Sequence, residues 1–231
     1  MAEFELELGR QRERDVEPVG RQKAVRAVGP FEQHHRAFRQ VVEAELLLDW
    51  FLPRLDAAIP DTERGSFRAL WRELLAPIID APPTWVLRDF HSPNLLWLPQ
   101  RSELARLGLL DFQDAVMGPP AYDLASLLQD ARVDVAEETE LALLGRYVRG
   151  RSRSEADFNG AAFIKTYVTL AAQRASKILG IFARLDLRDG KPQYLRHLPR
   201  VWGYLQRSLS HPALEALNAW YIAHVPALNT I

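Results

Sequence analysis

The sequence predicts an α+β fold, a mostly helical body with one small β-island in its middle. Three observations predict it. Apolar residues recur every four or so positions from about Val41 onward. Short β-prone runs interrupt that period between Thr84 and Leu110, and Pro, Gly and polar clusters divide the later helical pieces from one another.

In residues 1–40, Glu, Gln and Arg are scattered without a sustained period, and only Phe4, Leu6 and Leu8 alternate as a short strand would. We expect a loosely ordered arm there, or a translation start outside the original domain, and a single domain over residues 41–231. Val42, Leu46, Trp50 or Phe51 and Leu55 predict a helix that Pro60 ends, and a second helix spans Ser66 to Asp80. TWVL at 84–87 is β-prone. NLLWL at 94–98 and LARLGLL at 104–110, joined by PQRSE, predict a β-hairpin with a five-residue loop. After a turn at MGPPAY come helical pieces near 121–131, 137–149, 155–184, 193–208 and 212–223. Their breaks fall at Arg151 to Ser154, Asp189 to Pro192, and Pro212.

Composition excludes several classes of function. A chain of 231 residues, 48% hydrophobic and 26% charged, can bury a sizeable core and is not a disordered protein. With 29 Lys+Arg against 30 Asp+Glu, the net charge of -1 provides no global field for nucleic acid or an anionic membrane, so neither is an expected partner. The lack of cysteine excludes disulfides, cysteine-ligated metal and a thiol nucleophile, and fits a reducing compartment. With no apolar signal core and no uncharged run of about 18 apolar residues, the expectation is a soluble, cytoplasmic protein.

The chemistry gathers at the island. LRDFHSPN, Leu87 to Asn94, places an Asp, a His and an Asn in one loop before the hairpin, and LLDFQD returns Asp111 at the hairpin's far end. Asp89, Asn94 and Asp111 can thus converge. Such a set suits phosphoryl transfer, in which one carboxylate orients an attacking hydroxyl while an amide and a second carboxylate hold Mg²⁺ on the phosphates. The spacing matches H-R-D-L-x-x-x-N followed by D-F-G, with Leu87 in place of the His and Gln113 in place of the Gly.

Together, LRDFHSPNLLWL, LLDFQDAVMGPPAYDLASLLQDARVD and KILGIFARLDLRDGKPQYL resemble the aminoglycoside phosphotransferase and choline kinase-like superfamily. Within it they look like the anomeric kinases that phosphorylate N-acetylmuramate and N-acetylglucosamine at C1. The resemblance implies a protein-kinase-like carboxy-terminal lobe, ATP as phosphate donor and an N-acetylated amino sugar as acceptor. It further implies that Asp89 is the catalytic base, that Asn94 and Asp111 ligate Mg²⁺, and that Arg88 and His91 brace the loop or contact phosphate. Asp123 resembles the superfamily's Asp that holds the catalytic loop from a helix start. Gln173, Arg174 and Lys177 fall where the acceptor site is bordered and could meet a substrate carboxylate. Such kinases also have an amino-terminal β lobe with an ATP-binding Lys. Lys23, the only lysine before the loop, sits in GRQKAVRAVG without an apolar strand, so we expect that lobe to be missing.

Plainer readings stand beside these. Asp123 could cap its own helix, and Asp114 could be an exposed turn carboxylate. Gln173 and Lys177 could lie on a solvated face, while Trp202, Tyr204, Trp220 and Tyr221 read as packing. Adjacent His34 and His35 diverge and do not share a metal. RYVRGRSRSE reads as a solvated helix end and loop. The rival functions are a kinase for another alcohol, such as an aminoglycoside, choline or homoserine, and a non-catalytic lobe that acts as a binding module.

Overall fold

The computed structural model of the chain describes residues 41–79 and 81–226. The expectations for residues 1–40, including the strand-like alternation, Lys23 and the His pair, lie outside the described residues.

A π-helical turn, Leu47–Phe51, runs directly into the short helix α1, Leu52–Arg54. Helix α2 spans Asp61–Ile79, starting five residues before the expected Ser66 because Asp61 and Glu63 suit the positive end of a helix. Four three-residue strands follow: β1 (Thr84–Val86), β2 (Leu95–Trp97), β3 (Leu107–Leu109) and β4 (Val116–Gly118). The remaining helices are α3 (Ala121–Leu128), α4 (Glu137–Ser154), α5 (Gly160–Leu187), α6 (Leu198–Leu209) and α7 (Glu215–His224).

The predicted hairpin forms, but the expected five-residue loop is corrected: Glu103–Arg106 winds into a 3-10 turn, so the connection runs from Leu98 to Arg106 and the second strand starts at Leu107 rather than Leu104. β2 and β3 pair antiparallel with Leu95 opposite Leu109 and Trp97 opposite Leu107. The expected turn over MGPPAY is corrected at its start, where Val116–Gly118 forms β4 and pairs antiparallel with β1, Thr84 facing Gly118. Gly-Pro-Pro reads as a turn, but Gly118 also suits a strand packed close to a side chain of its partner strand. A Cβ there would lie 3.3 Å from Val86 Cγ2. The expected break at Arg151 to Ser154 is also corrected, since α4 continues through Ser154. Arg151 pairs with Glu155 four residues on, and Ser152 and Ser154 donate to carbonyls four residues back, so nothing there ends a helix.

Helix α5 is the axis of the core. Every residue from Thr169 to Ser176 is buried, as befits a helix enclosed on all sides. It packs against α3, α6 and the π-helical turn. The contact with the turn is close because of Gly180, where a Cβ would lie 2.3 Å from the Leu46 backbone. Asn159 caps α5, its side chain accepting from Ala162 N at 3.0 Å. The carboxy-terminal aromatics pack as read. Trp220 and Tyr221 contact Phe67 of α2, Trp202 stacks on Phe51, and the Tyr221 hydroxyl lies 2.6 Å from Ser176 Oγ. By contrast the β-island is superficial, with Trp85, Trp97, Leu104 and Phe112 all exposed.

Candidate active site

The loop between β1 and β2 is fastened to the helical body by side chains that accept its backbone amides. Asp123, in the first turn of α3, takes Leu87 N at 2.6 Å on one carboxylate oxygen and Arg88 N at 2.9 Å on the other. The capping alternative for Asp123 therefore fails, because its oxygens face the loop rather than its own helix. Burial pushes its carboxyl above the ordinary range, although the two N–H bonds act in the opposite direction. Arg88 sits in the left-handed region at φ 68°, which a non-glycine residue occupies at a cost of about 1 kcal/mol. The two amides held by Asp123 and the Arg88 carbonyl, which accepts from Ser126 Oγ at 3.2 Å, fix that conformation.

The loop then turns back on itself. Asp89 N donates to Leu87 O at 2.8 Å, and Asp89 O accepts both His91 N at 3.0 Å and Asn94 Nδ2 at 2.9 Å. The Asp89 side chain is left exposed at the loop's tip. His91 points inward, 8% exposed, and its Nδ1 has no hydrogen-bond partner among the described residues. Burial lowers its pKa, as does the charge of Arg132, so the imidazole is neutral at pH 7.

Asn94 and Asp111 meet through the hairpin ladder. Leu110 N donates to Asn94 O at 2.9 Å, one rung beyond the Leu95–Leu109 pair, so the chain delivers Asp111 beside the start of β2. Asp111 is the second strained residue of the site, at φ 55°, and its carboxylate accepts from Gln113 Nε2. Among the described residues no cluster of three or more His, Asp or Glu could by itself hold a metal. The pair nevertheless fits Mg²⁺. Asn94 uses Nδ2 on the loop and so leaves Oδ1 for a ligand, and the hard ion takes one or two protein oxygens and completes its shell with water and substrate phosphate.

The three residues expected to border an acceptor fare differently. Gln173 is fully buried. Lys177 Nζ forms an ion pair with Glu43 at 2.9 Å, so its charge is committed within the helical body. Arg174 lies under the loop, donating to Gln129 O at 3.0 Å, within electrostatic reach of Tyr122, Asp130 and Asp89. Asp114 is exposed. Sequence reasoning missed Asp130, whose carboxylate accepts Ser92 N at 2.9 Å and Arg132 N at 2.8 Å, a second clasp on the loop between β1 and β2. The DLASLLQD spacing, which places Asp130 two helical turns after Asp123, is the signal that could have found it. A cavity of about 780 Å³ between the end of α2 and the start of α5 is lined by none of these residues.

A loop carboxylate, a carboxamide five residues on and a carboxylate returned by a hairpin are thus linked through the loop and ladder hydrogen bonds. The model of the phosphotransferase enzyme family matches residues 20–163, which include all three. The chain belongs to this family. Among curated phosphotransferases it is 40% identical over 182 residues to the N-acetylmuramate/N-acetylglucosamine kinase of Caulobacter vibrioides, a match covering 79% of this chain and 49% of that protein. The proteins of that name from Neisseria meningitidis and Pseudomonas putida are 36% and 33% identical, over 71% and 76% of this chain and 49% and 52% of theirs. The chain thus spans about half the length of the curated relatives it matches. Among the described residues no helix is long and apolar enough to cross a membrane.

Proposed function

We propose that the protein is an ATP-dependent phosphotransferase of the cytoplasm. It transfers the γ-phosphate to the anomeric hydroxyl of an N-acetylated amino sugar, with residues 41–231 as the catalytic domain. The observation that carries this reading is the loop held by Asp123, which leaves Asp89 exposed and, five residues on, ties Asn94 to the hairpin end that delivers Asp111. The names of the relatives support the acceptor class.

In this reading Asp89 accepts a hydrogen bond from the acceptor hydroxyl and takes its proton as the oxygen bonds to phosphorus and the bond to the ADP oxygen breaks. Asn94, through its free Oδ1, and Asp111 would hold Mg²⁺, which would supply charge neutralisation on the phosphates. The backbone clasps of Asp123 and Asp130 keep Asp89 in register, so catalysis is chiefly positioning. His91, buried and neutral, braces the loop from within.

The test is transfer from γ-labelled ATP with Mg²⁺ to N-acetylglucosamine, N-acetylmuramate, kanamycin and choline, with Asp89→Asn alongside. Labelled amino sugar is expected, reduced about 10²-fold or more in the variant. Transfer only to kanamycin or choline reassigns the acceptor. A folded chain that transfers to none overturns the enzymatic reading and leaves a binding module.

A further inference from the structure

We infer that Arg132 is a specificity-determining residue that binds a carboxylate borne by the acceptor. This rests on the phosphotransferase reading given above and names a feature of the substrate that the catalytic motif does not.

The segment after α3, residues 129–136, is fastened from several sides. Arg174 Nη1 donates to Gln129 O at 3.0 Å, and Arg200 Nη1 donates to Ala131 O at 3.1 Å. Val135 N donates to the Tyr204 hydroxyl at 3.1 Å. Its acidic side chains are occupied as well, Asp134 by a two-pronged ion pair with Arg200 and Asp130 by the backbone amides of Ser92 and Arg132. The exception is Arg132. Its guanidinium is exposed and has no hydrogen-bond or ion-pair partner among the described residues. The backbone under this cation is fixed, and no intramolecular partner has to be displaced when an anion reaches the guanidinium.

Its position gives that anion a role. Asp130 ties Arg132 directly to Ser92, three residues after Asp89. The Arg132 charge acts on both His91 and Arg174, and each of those in turn interacts with Asp89. Arg132 is therefore joined through Asp130 to the loop that carries Asp89, on its helical side, whereas Asn94 and Asp111 flank the hairpin strands. In this proposal an acceptor that sets its hydroxyl on Asp89 and bears a carboxylate turns that carboxylate toward Arg132. A planar guanidinium matches a carboxylate with two parallel hydrogen bonds. N-acetylmuramate and N-acetylglucosamine are the informative pair, since the first adds a lactyl ether with a carboxylate to the second.

Calorimetric titration of both sugars into the full chain without nucleotide tests this, using wild type, Arg132→Gln and Arg132→Lys, with MgATP titrated separately. The expected result is roughly tenfold tighter binding of N-acetylmuramate by the wild type. Arg132→Gln should abolish the preference while leaving N-acetylglucosamine affinity unchanged, and Arg132→Lys should restore part of it. Equal binding of the two sugars by wild type overturns the inference while leaving the amino-sugar reading intact. Loss of MgATP affinity in Arg132→Gln with the sugar preference retained also overturns it, because the group would then serve donor phosphate. If neither sugar binds, the acceptor class itself fails and the inference fails with it. Arg132 is exposed, so the variants should unfold at the wild-type temperature, which a melting curve verifies.

Discussion

Two amides and one carboxylate decide the conformation of the residue before Asp89. Arg88 at φ 68° is held because Asp123 accepts both its N–H and that of Leu87. Removing the acceptor orphans two donors and releases the strain, so Asp123→Ala should lower stability by about 2 kcal/mol in urea denaturation. Its phosphate transfer should fall far more than the stability loss explains. His91 supports a pH prediction. Burial depresses its folded-state pKa below 6.5, so the unfolded chain binds the proton more readily. Its contribution is complete above pH 6.5 and is lost as pH falls toward the depressed value. Wild type should therefore lose stability relative to His91→Gln on acidification from pH 7 to 5. The groups facing His91 are Arg132, Asp130, Asp89 and Arg174, two of each sign. Asp89, Asn94, Asp111 and Asp123 were legible in the sequence because their spacing is a chain property. Asp130 was not, since its bond to Ser92 spans 38 positions. The ion pair of Lys177 with Glu43 was not legible either, since Glu43 lies on a different element.

At the scale of elements, the helical period and the hairpin were legible, and β4 was not. Three residues ending in Gly-Pro-Pro have too little alternation to announce a strand, and only β1 across the ladder makes one of them. The break expected in α4 failed for a similar reason. Side chains there satisfy the helix's own carbonyls, which composition alone does not show. Two helical glycines give opposite predictions. Gly180 meets the Leu46 backbone, so Gly180→Ala forces α5 away from the π-helical turn and should cost about 2 kcal/mol despite alanine's better helix propensity. Gly203, inside α6, has nothing within 4 Å of an added Cβ, so Gly203→Ala should stabilise by about 0.5–1 kcal/mol. Thermal melts of the two variants read both signs.

Across the whole molecule, polar links beneath the site join the helices to one another. Glu140 of α4, almost fully buried, accepts from Tyr167 of α5 at 2.7 Å, from Gln129 at 2.9 Å and from Arg207 of α6 at 2.6 Å, and the Gln129 carbonyl in turn accepts Arg174. Among the described residues, none of these links reaches the β2–β3 ribbon. Its faces leave Leu96, Trp97, Leu107 and Leu109 exposed, and a two-stranded ribbon is marginal by itself. Deuterium uptake should show this asymmetry, with the amides of Leu96 and Leu109 exchanging long before those of Leu170 and Leu179 in α5. A ribbon protected as strongly as α5 would contradict it.

The site therefore spans a gradient of rigidity. Asp89 and Arg132 sit on segments clasped to the helices, and Asp111 follows β3 of the lightly anchored ribbon, which is expected to open many times before the core unfolds once. Ligand binding to the first side resembles a key meeting a finished lock. On the second it selects, from a fluctuating ribbon, the register that brings Asp111 to Asn94, and the time spent in that register sets how often the two halves are ready together.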